Sequence, residues 1–253
     1  MTKKYKLTDI TMEFEGRTLY RIRALKDFSN VEKGDLGGWI QSEDNLSQKG
    51  YCWIYDNAKC MDDARMYDNS RMYDDSVMYD YSAILDDSRM YDNSEMHDYS
   101  VMYDYSAIFD NSRMYGHSVM YNDSEMHDCS KMHDYSRMYG SSEMCGKSEM
   151  FDNSEMHDCS EMCGDSKLKG REKLYGKLVS EVDNFIEINN KEGDMVTGVL
   201  KKGKMLFNID YFEEITKEEL LDIIYNEDGG IEENPHRKEY LKIIDMIELY
   251  FSK

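Results

Sequence analysis

Proline is almost missing from this 253-residue chain, which has one, and tryptophan occurs twice. A single proline argues against a disordered linker, whose composition normally leans on that residue. No apolar run approaches the roughly 18–20 residues that cross a bilayer, which excludes a membrane-spanning helix. None of the six cysteines lies in a CxxC pair, so a finger-type zinc site is absent. With no N-terminal signal peptide either, the expected location is a reducing cytoplasm. Basic residues are scarce, 31 against 52 acidic, for a formal charge of −21. Such a surface stays soluble, repels nucleic acid and attracts basic partners. Residues 54–177 hold 26 acidic and 13 basic side chains, so the acidity is spread along the body and not confined to a tail.

What the chain does have is a six-residue period. From Ile54 to Leu174 an apolar residue falls at every sixth position, 21 times without a break, and 15 of the 21 methionines sit in that column. Four residues after each of the first 19 stands a small residue: Ala58, Ala64, then Ser70 and every sixth residue to Ser166. Six fits neither an α-helix nor one isolated strand, and it implies a stack of short repeated segments. In the hexad Met66-Tyr-Asp-Asn-Ser-Arg71, period-two alternation places Met and Ser on one face and Tyr and Arg on the other. The position after Tyr is Asp 14 times, Gly six times and Asn once, the residue types that best tolerate a left-handed backbone. Each hexad is therefore a short strand plus a corner, and the whole is a mainly β fold, a β-solenoid.

Three hexads per coil give a triangular prism with 18 residues per turn, seven coils and a length of about 33 Å at the ~4.8 Å strand spacing. One observation keeps a flattened 12-residue coil open. Ser76 to Ile84 and Ser100 to Ile108 are the same nine residues, 24 apart, and 24 is a multiple of 12 and not of 18. Tandem duplication explains the identity equally well.

The ends differ from the body. Residues 1–53 lack the strict hexad, although Ile40, Leu46 and Cys52 already have its spacing. Alternation in 10–14 and 18–22 around Glu15-Gly16 predicts a β-hairpin, and this zone is expected to cap the first coil. Residues 178–253 are expected to form a small α+β domain. It has a hairpin over 195–200 and 204–209, and a helix opened by the capping box Thr216-Lys-Glu-Glu219 and ended near Gly229-Gly230. A second helix is capped by Asn234-Pro235, with Tyr240, Ile244, Ile247 and Phe251 in one stripe.

The apolar-x-Gly/Asp-Asn-Ala/Ser-x hexad resembles the hexapeptide-repeat, left-handed β-helix superfamily, known best for acyltransferases. Leu19-Tyr-Arg-Ile-Arg-Ala-Leu25, Gly34-Asp-Leu-Gly-Gly-Trp-Ile40 and Trp53-Ile-Tyr-Asp-Asn-Ala58 look more specifically like a group of uncharacterised phage and prophage proteins. This chain departs from the pattern by using Met for the usual Val or Ile and Ser for the usual Ala. The resemblance implies a protein working inside an infected or lysogenic bacterial host, and supplies no agreed activity. For the superfamily it implies acyl transfer, with a general-base histidine on the coil wall and substrate held between subunits. His97, His127, His133 and His157 are the candidates, all in the outward column after the apolar one.

Metal binding is a second chemistry. In an 18-residue coil His127, Cys145 and Cys163 would stack within reach of a soft divalent ion, although a flat ladder converges poorly on a tetrahedron. The outward surface is the stronger signal, and no cofactor is expected. Tyr103, Tyr115, Tyr121 and Tyr139 belong to an aromatic column, which stabilises a sheet by stacking and also gives contact area at low entropic cost. The outward residue before each Met drifts from Lys, Arg, Val or Ala to Glu143, Glu149, Glu155 and Glu161. Regular carboxylates on a rigid rod can imitate a phosphate backbone and occupy a basic groove. The expectation is thus a non-enzymatic binding protein that covers the basic surface of a host enzyme, with no direct nucleic-acid or membrane contact. An acyltransferase and a structural virion component are the alternatives. Two assemblies stay open: a side-by-side trimer using Val77, Val101 and Val119, or a dimer through Tyr240, Ile244, Ile247 and Phe251.

Overall fold

In the computed structural model each hexad forms a two-residue strand followed by a corner, as the period predicts. The structure describes residues 2–171, 173–177, 184–189, 195–201, 204–209, 212–226, 240–242, 244, 245, 247 and 248. Strands pair in parallel with the strand three hexads further on: Arg71 with Arg89, Val77 with Glu95, Val101 with Val119. The coil is triangular. The two identical nonapeptides consequently lie on different walls, because a shift of four hexads is one coil plus one side. Val77–Met78 stands in the first wall and Val101–Met102 in the second.

The first wall stacks eight strands from Leu36–Ile40 to Lys167–Leu168. The second runs from Arg65–Met66 to Arg137–Met138, and the third from Trp53–Ile54 to Glu143–Met144. Glu155–Met162 bends round a corner and joins the second wall to the third. Between the walls the apolar column from Ile54 to Met162 is fully buried, as is the small column of Ala58, Ala64 and the serines. Met is long and unbranched, so it fills the space that the small corner residue leaves.

The corners carry more than a bend. Every Asp in the corner column from Asp56 to Asp110 has φ between 49° and 61°, in the left-handed region that costs an ordinary L-residue about 1–2 kcal/mol. Asp and Gly reduce that cost, which is why both occur. The Asp carboxylate then accepts the amide of the corner one coil on: Asp98 Oδ2 from Gly116 N at 3.0 Å, Asp110 from Asp128 at 3.0 Å, Asp128 from Gly146 at 2.8 Å. That amide has no strand partner, and the carboxylate satisfies it. Several serines act similarly inside. Ser70 and Ser136 donate to the carbonyls of Tyr67 and His133 at 2.7 and 2.9 Å. The hydroxyls of Ser94, Ser118, Ser124, Ser142, Ser148, Ser160 and Ser166 are buried without a partner among the described residues.

The N-terminal hairpin, Tyr5–Phe14 with Arg17–Ala24, turns at Glu15-Gly16 as expected. Its second strand pairs antiparallel with Leu36–Ile40, which itself pairs in parallel with Lys59–Cys60. Here the offset is wider than three hexads by two positions (Ile40 with Cys60, Leu46 with Met66), and it settles to three hexads only at Ile54 with Met72. The wider first coil admits Trp53, which packs edge-on against Phe28 and Tyr5. A Cβ on Gly37 would lie 2.5 Å from the Trp53 ring, and one on Gly38 2.3 Å from Ile54, so both positions need glycine. Lys4 is fully buried, and its ammonium donates to the carbonyls of Cys52 and Lys49 at 2.9 and 3.2 Å. It thereby closes backbone acceptors at the open end of the stack.

The C-terminal part is a four-stranded antiparallel sheet, Asn184–Asn189, Met195–Lys201, Lys204–Ile209 and Phe212–Ile215, with a helix over Lys217–Asn226. The expected hairpin is its centre. The capping box forms: Glu219 N donates to Thr216 Oγ1 at 3.3 Å, and Thr216 N to Glu219 Oε2 at 2.7 Å. Asn234, Pro235, Gly229, Gly230 and Phe251 lie outside the described residues.

Two outcomes test these corners and the core. Asp110→Ala should lower the urea midpoint by more than Asp110→Gly, the difference corresponding to about 1 kcal/mol of left-handed strain. Ser142→Ala should raise stability by up to ~1 kcal/mol by removing an unpaired hydroxyl, whereas Ser136→Ala should lower it by about 1 kcal/mol.

Candidate functional site

With core and corner columns assigned, each wall exposes two columns to solvent. The column after the apolar residue forms ring ladders along the axis. On the third wall Tyr55, Tyr73, Tyr91, Phe109 and His127 stack at 4.6–4.8 Å between centroids. Tyr79, His97, Tyr115, His133 and Phe151 do so on the first, and Tyr103, Tyr121, Tyr139 and His157 on the second. The strand spacing of roughly 4.8 Å dictates face-to-face stacking and covers most of each ring. Tyr103, Tyr115, Tyr121 and Tyr139 are accordingly half-buried.

The histidines differ in what holds them. His97 Nδ1 lies 3.1 Å from Asp98 Oδ2, the same oxygen that accepts the Gly116 amide. Its Nε2 has no hydrogen-bond partner among the described residues. His133 is held on both sides, by Asp134 at 2.9 Å and Glu149 at 3.2 Å. His127 Nε2 faces Glu125 at 3.2 Å and Glu143 at 3.9 Å, and His157 Nε2 faces Glu155 at 2.9 Å. A base needs one nitrogen fixed and the other free to accept a proton. His97 meets that condition with an anchor that is itself tied to the backbone.

The four glutamates are divided among three walls: Glu149 on the first, Glu155 on the second, Glu143 and Glu161 on the third. They do not make one acidic surface. Glu149 bonds Lys167 at 2.6 Å and Glu155 bonds Lys173 at 2.6 Å. Burial pushes the Glu149 carboxyl up, and the Lys167 ammonium with the His133 ring pulls it further down, holding it below the ordinary carboxylate range. Glu155 is lowered in the same way, burial being outweighed by Lys173 and His157. On the third wall Glu125, Glu143 and Glu161 are in register, and Lys177 follows Glu161 in the same row.

Beside that acidic column the outward residues are His127, Cys145 and Cys163. Cys145 and Cys163 face each other across adjacent coils, with Cα atoms 4.5 Å apart, and form a disulfide. Their sulfurs and a Glu161 oxygen lie within 4.8 Å of one another. The cysteines thus meet as the three-hexad coil predicts, whereas His127 turns to glutamates, so the third nearby ligand is Glu161. In the C-terminal part Ile244 and Ile247 are buried against Phe207, Leu220 and Ile224, with Tyr240 partly buried on that core. Those two side chains are covered within the chain. Val101 and Val119 adjoin on the second wall, and Val77 stands on the first.

The most exposed rings lie elsewhere. Tyr81, Tyr99, His117 and Tyr135 stack along one corner, and Tyr105 stands on another; Tyr81 and Tyr105 are 56% and 63% exposed, against half-buried wall rings. They occupy the second corner position, where Asn and Asp are usual. Reading that position at steps of three hexads would have revealed the stack.

The walls and hexads fit the hexapeptide-repeat β-helix superfamily. The uncharacterized acetyltransferase YdcK of Escherichia coli (strain K12) is 39% identical to this chain over 62 residues. That match takes in 21% of this chain and 19% of the relative, so the chain covers about a fifth of YdcK. No protein-family model matches. The finer likeness to phage and prophage proteins has no counterpart in these comparisons. Among the described residues no helix is long and apolar enough to cross a membrane.

The two lowered carboxyls give a pH dependence with a fixed sign. A depressed folded-state value contributes stability above the unfolded carboxylate value of about 4.3, and this contribution is lost as pH falls through the folded value. Denaturant melts from pH 7 to pH 3 should show Glu149→Gln/Glu155→Gln less stable than the natural chain at neutrality, with the gap closing as the pH drops.

Proposed function

We propose that this chain is a hexapeptide-repeat acyltransferase, taking an acyl group from a coenzyme A thioester and using His97 as general base. What carries the reading is the 62-residue match to a protein named an acetyltransferase, joined to a β-solenoid wall on which a histidine has one nitrogen anchored and one open. His97 Nε2 accepts the proton of an amine or hydroxyl acceptor as that atom attacks the thioester carbonyl. The carbon–sulfur bond breaks and the coenzyme A thiolate leaves. Asp98, tied to the Gly116 amide, fixes the ring and stabilises the imidazolium that forms.

A single wall is flat, and the strict hexad admits no inserted loop between residues 54 and 171. The second side of a substrate cleft must therefore come from a neighbouring copy, as the superfamily resemblance implies. His97→Phe keeps the ladder, since Phe109 and Phe151 already occupy such positions, and removes the proton acceptor. Release of free coenzyme A from acetyl-CoA, measured across a panel of amine and hydroxyl acceptors, should fall about 10²–10⁴-fold in that variant. Absence of coenzyme A binding by calorimetry, or turnover undiminished in His97→Phe, would sink the proposal.

A binding rod is the second reading, favoured by the exposed corner stack of Tyr81, Tyr99, His117 and Tyr135 and by the net charge of −21. It takes a protein partner with a basic surface, such as a host enzyme. Capture of such a partner that weakens steeply with salt supports it, and salt-insensitive capture counts against it.

A further inference from the structure

The third wall carries the cysteine pair at its C-terminal end. On the first wall Lys167 neutralises Glu149, and on the second Lys173 neutralises Glu155. On the third, Lys177 is in register with Glu161 on one side, and on the other Glu143 and Glu161 stand opposite each other, an arrangement of like charges that destabilises a ladder. His127 approaches Glu143 at 3.9 Å, and a Glu161 oxygen lies 3.6 Å from the Cys163 sulfur. The same two rungs bring Cys145 and Cys163 side by side. A surplus of carboxylate beside two thiols is a set of ligands for a cation that prefers sulfur.

We propose that Cys145, Cys163 and Glu161 form a redox-gated site for a soft divalent cation of the zinc class. Two thiolates on a tetrahedral ion at ~2.3 Å stand about 3.8 Å apart, somewhat less than the 4.5 Å between the two Cα atoms. Adjacent rungs therefore supply the pair without moving the backbone. Glu161 adds an oxygen from the neighbouring column of the same rung, its ligand atom already within 4.8 Å of both sulfurs. The fourth position faces solvent and takes water. Three protein ligands and a water answer the objection that a ladder cannot supply four corners of a tetrahedron. Glu143 lies beside the site and adds negative charge that favours the cation.

The disulfide is the closed state. A low-molecular-weight thiol reductant opens it by exchange: its two thiols become one disulfide, and the two electrons and two protons pass to Cys145 and Cys163. Binding the cation then releases those two protons and leaves two thiolates and one carboxylate on a divalent ion. A small disulfide oxidant reverses the first step and removes both sulfur ligands at once. The other four cysteines take no part, since Cys52 and Cys60 are buried and Cys129 and Cys159 lie at corners.

Cobalt(II) is the probe, added to the full chain after reduction and removal of metal. The reduced chain should bind one equivalent with a thiolate-to-cobalt charge-transfer band that zinc abolishes. After treatment with a small disulfide, thiol counting in urea should fall from six to four and the band should be lost. Cys145→Ser/Cys163→Ser should show no band while keeping the far-ultraviolet spectrum of the natural chain, and Cys129→Ser/Cys159→Ser should keep the band. Glu161→Gln should weaken cobalt binding at least tenfold. The proposal is overturned by a reduced chain that gives no band, or by a band that survives in Cys145→Ser/Cys163→Ser. Six thiols still titrating after oxidation, or affinity unchanged in Glu161→Gln, overturns it equally.

Discussion

Backbone pairing at a fixed offset of three hexads governs everything else in the wall. Most wall strands are two residues long, too short to hold a sheet by themselves, and gain stability only through the strands one coil before and after. That offset requires the chain to turn by a third of a revolution at every hexad, which places an Asp, Asn or Gly at a left-handed corner. The corner amide then falls between ladders, and the Asp carboxylate of the preceding coil accepts it. Much of the charge that looks like surface decoration in the composition is therefore engaged with the backbone. Acyl chemistry, partner binding and metal binding can only use what remains outside these columns.

What remains is also ordered by the offset. Residues three hexads apart become neighbours at strand spacing, so the outward surface is a set of rows, each with its own chemistry. The first wall mixes signs, with Arg113 beside Glu95 and Lys167 beside Glu149. The second carries adjoining valines, and the third ends in Glu143 opposite Glu161 beside the cysteine pair. Neither an acidic mimic nor a catalytic surface can be judged from total charge, because neighbours one hexad apart in sequence face different directions.

The hexad makes the wall legible: core, small column and corner sort out from the sequence alone, because their periodicity is a direct consequence of burial. The coil number was harder, since the repeated nonapeptide, shifted by four hexads, fitted either shape, and only strand pairing decided between them. Side-chain partners were the part least visible. His127, Cys145 and Cys163 share a column as the spacing requires, yet His127 turns to Glu125 because a carboxylate lies within reach on its own strand. Glu161 joins the cysteines because an outward residue on either side of one buried Met can converge. Tyr81, Tyr99 and Tyr135 were overlooked because a turn position is expected to hold a polar residue. In the C-terminal part the capping box was legible from local chemistry, whereas the outer strands of its sheet, six and four residues long, carry too short an alternation to stand out.

The triangular section has a consequence for how such a chain can change. Every hexad has the same backbone, so a hexad fits any of the three walls, as the duplicated nonapeptide on two walls shows. Gaining or losing three hexads together only lengthens or shortens the prism. Gaining or losing a single hexad leaves the core equally well filled but turns all later rows by a third of a revolution, giving each a new neighbour at the junction. A short indel in this architecture acts as a rotary selector: it exchanges which chemistries lie side by side while the interior registers no difference.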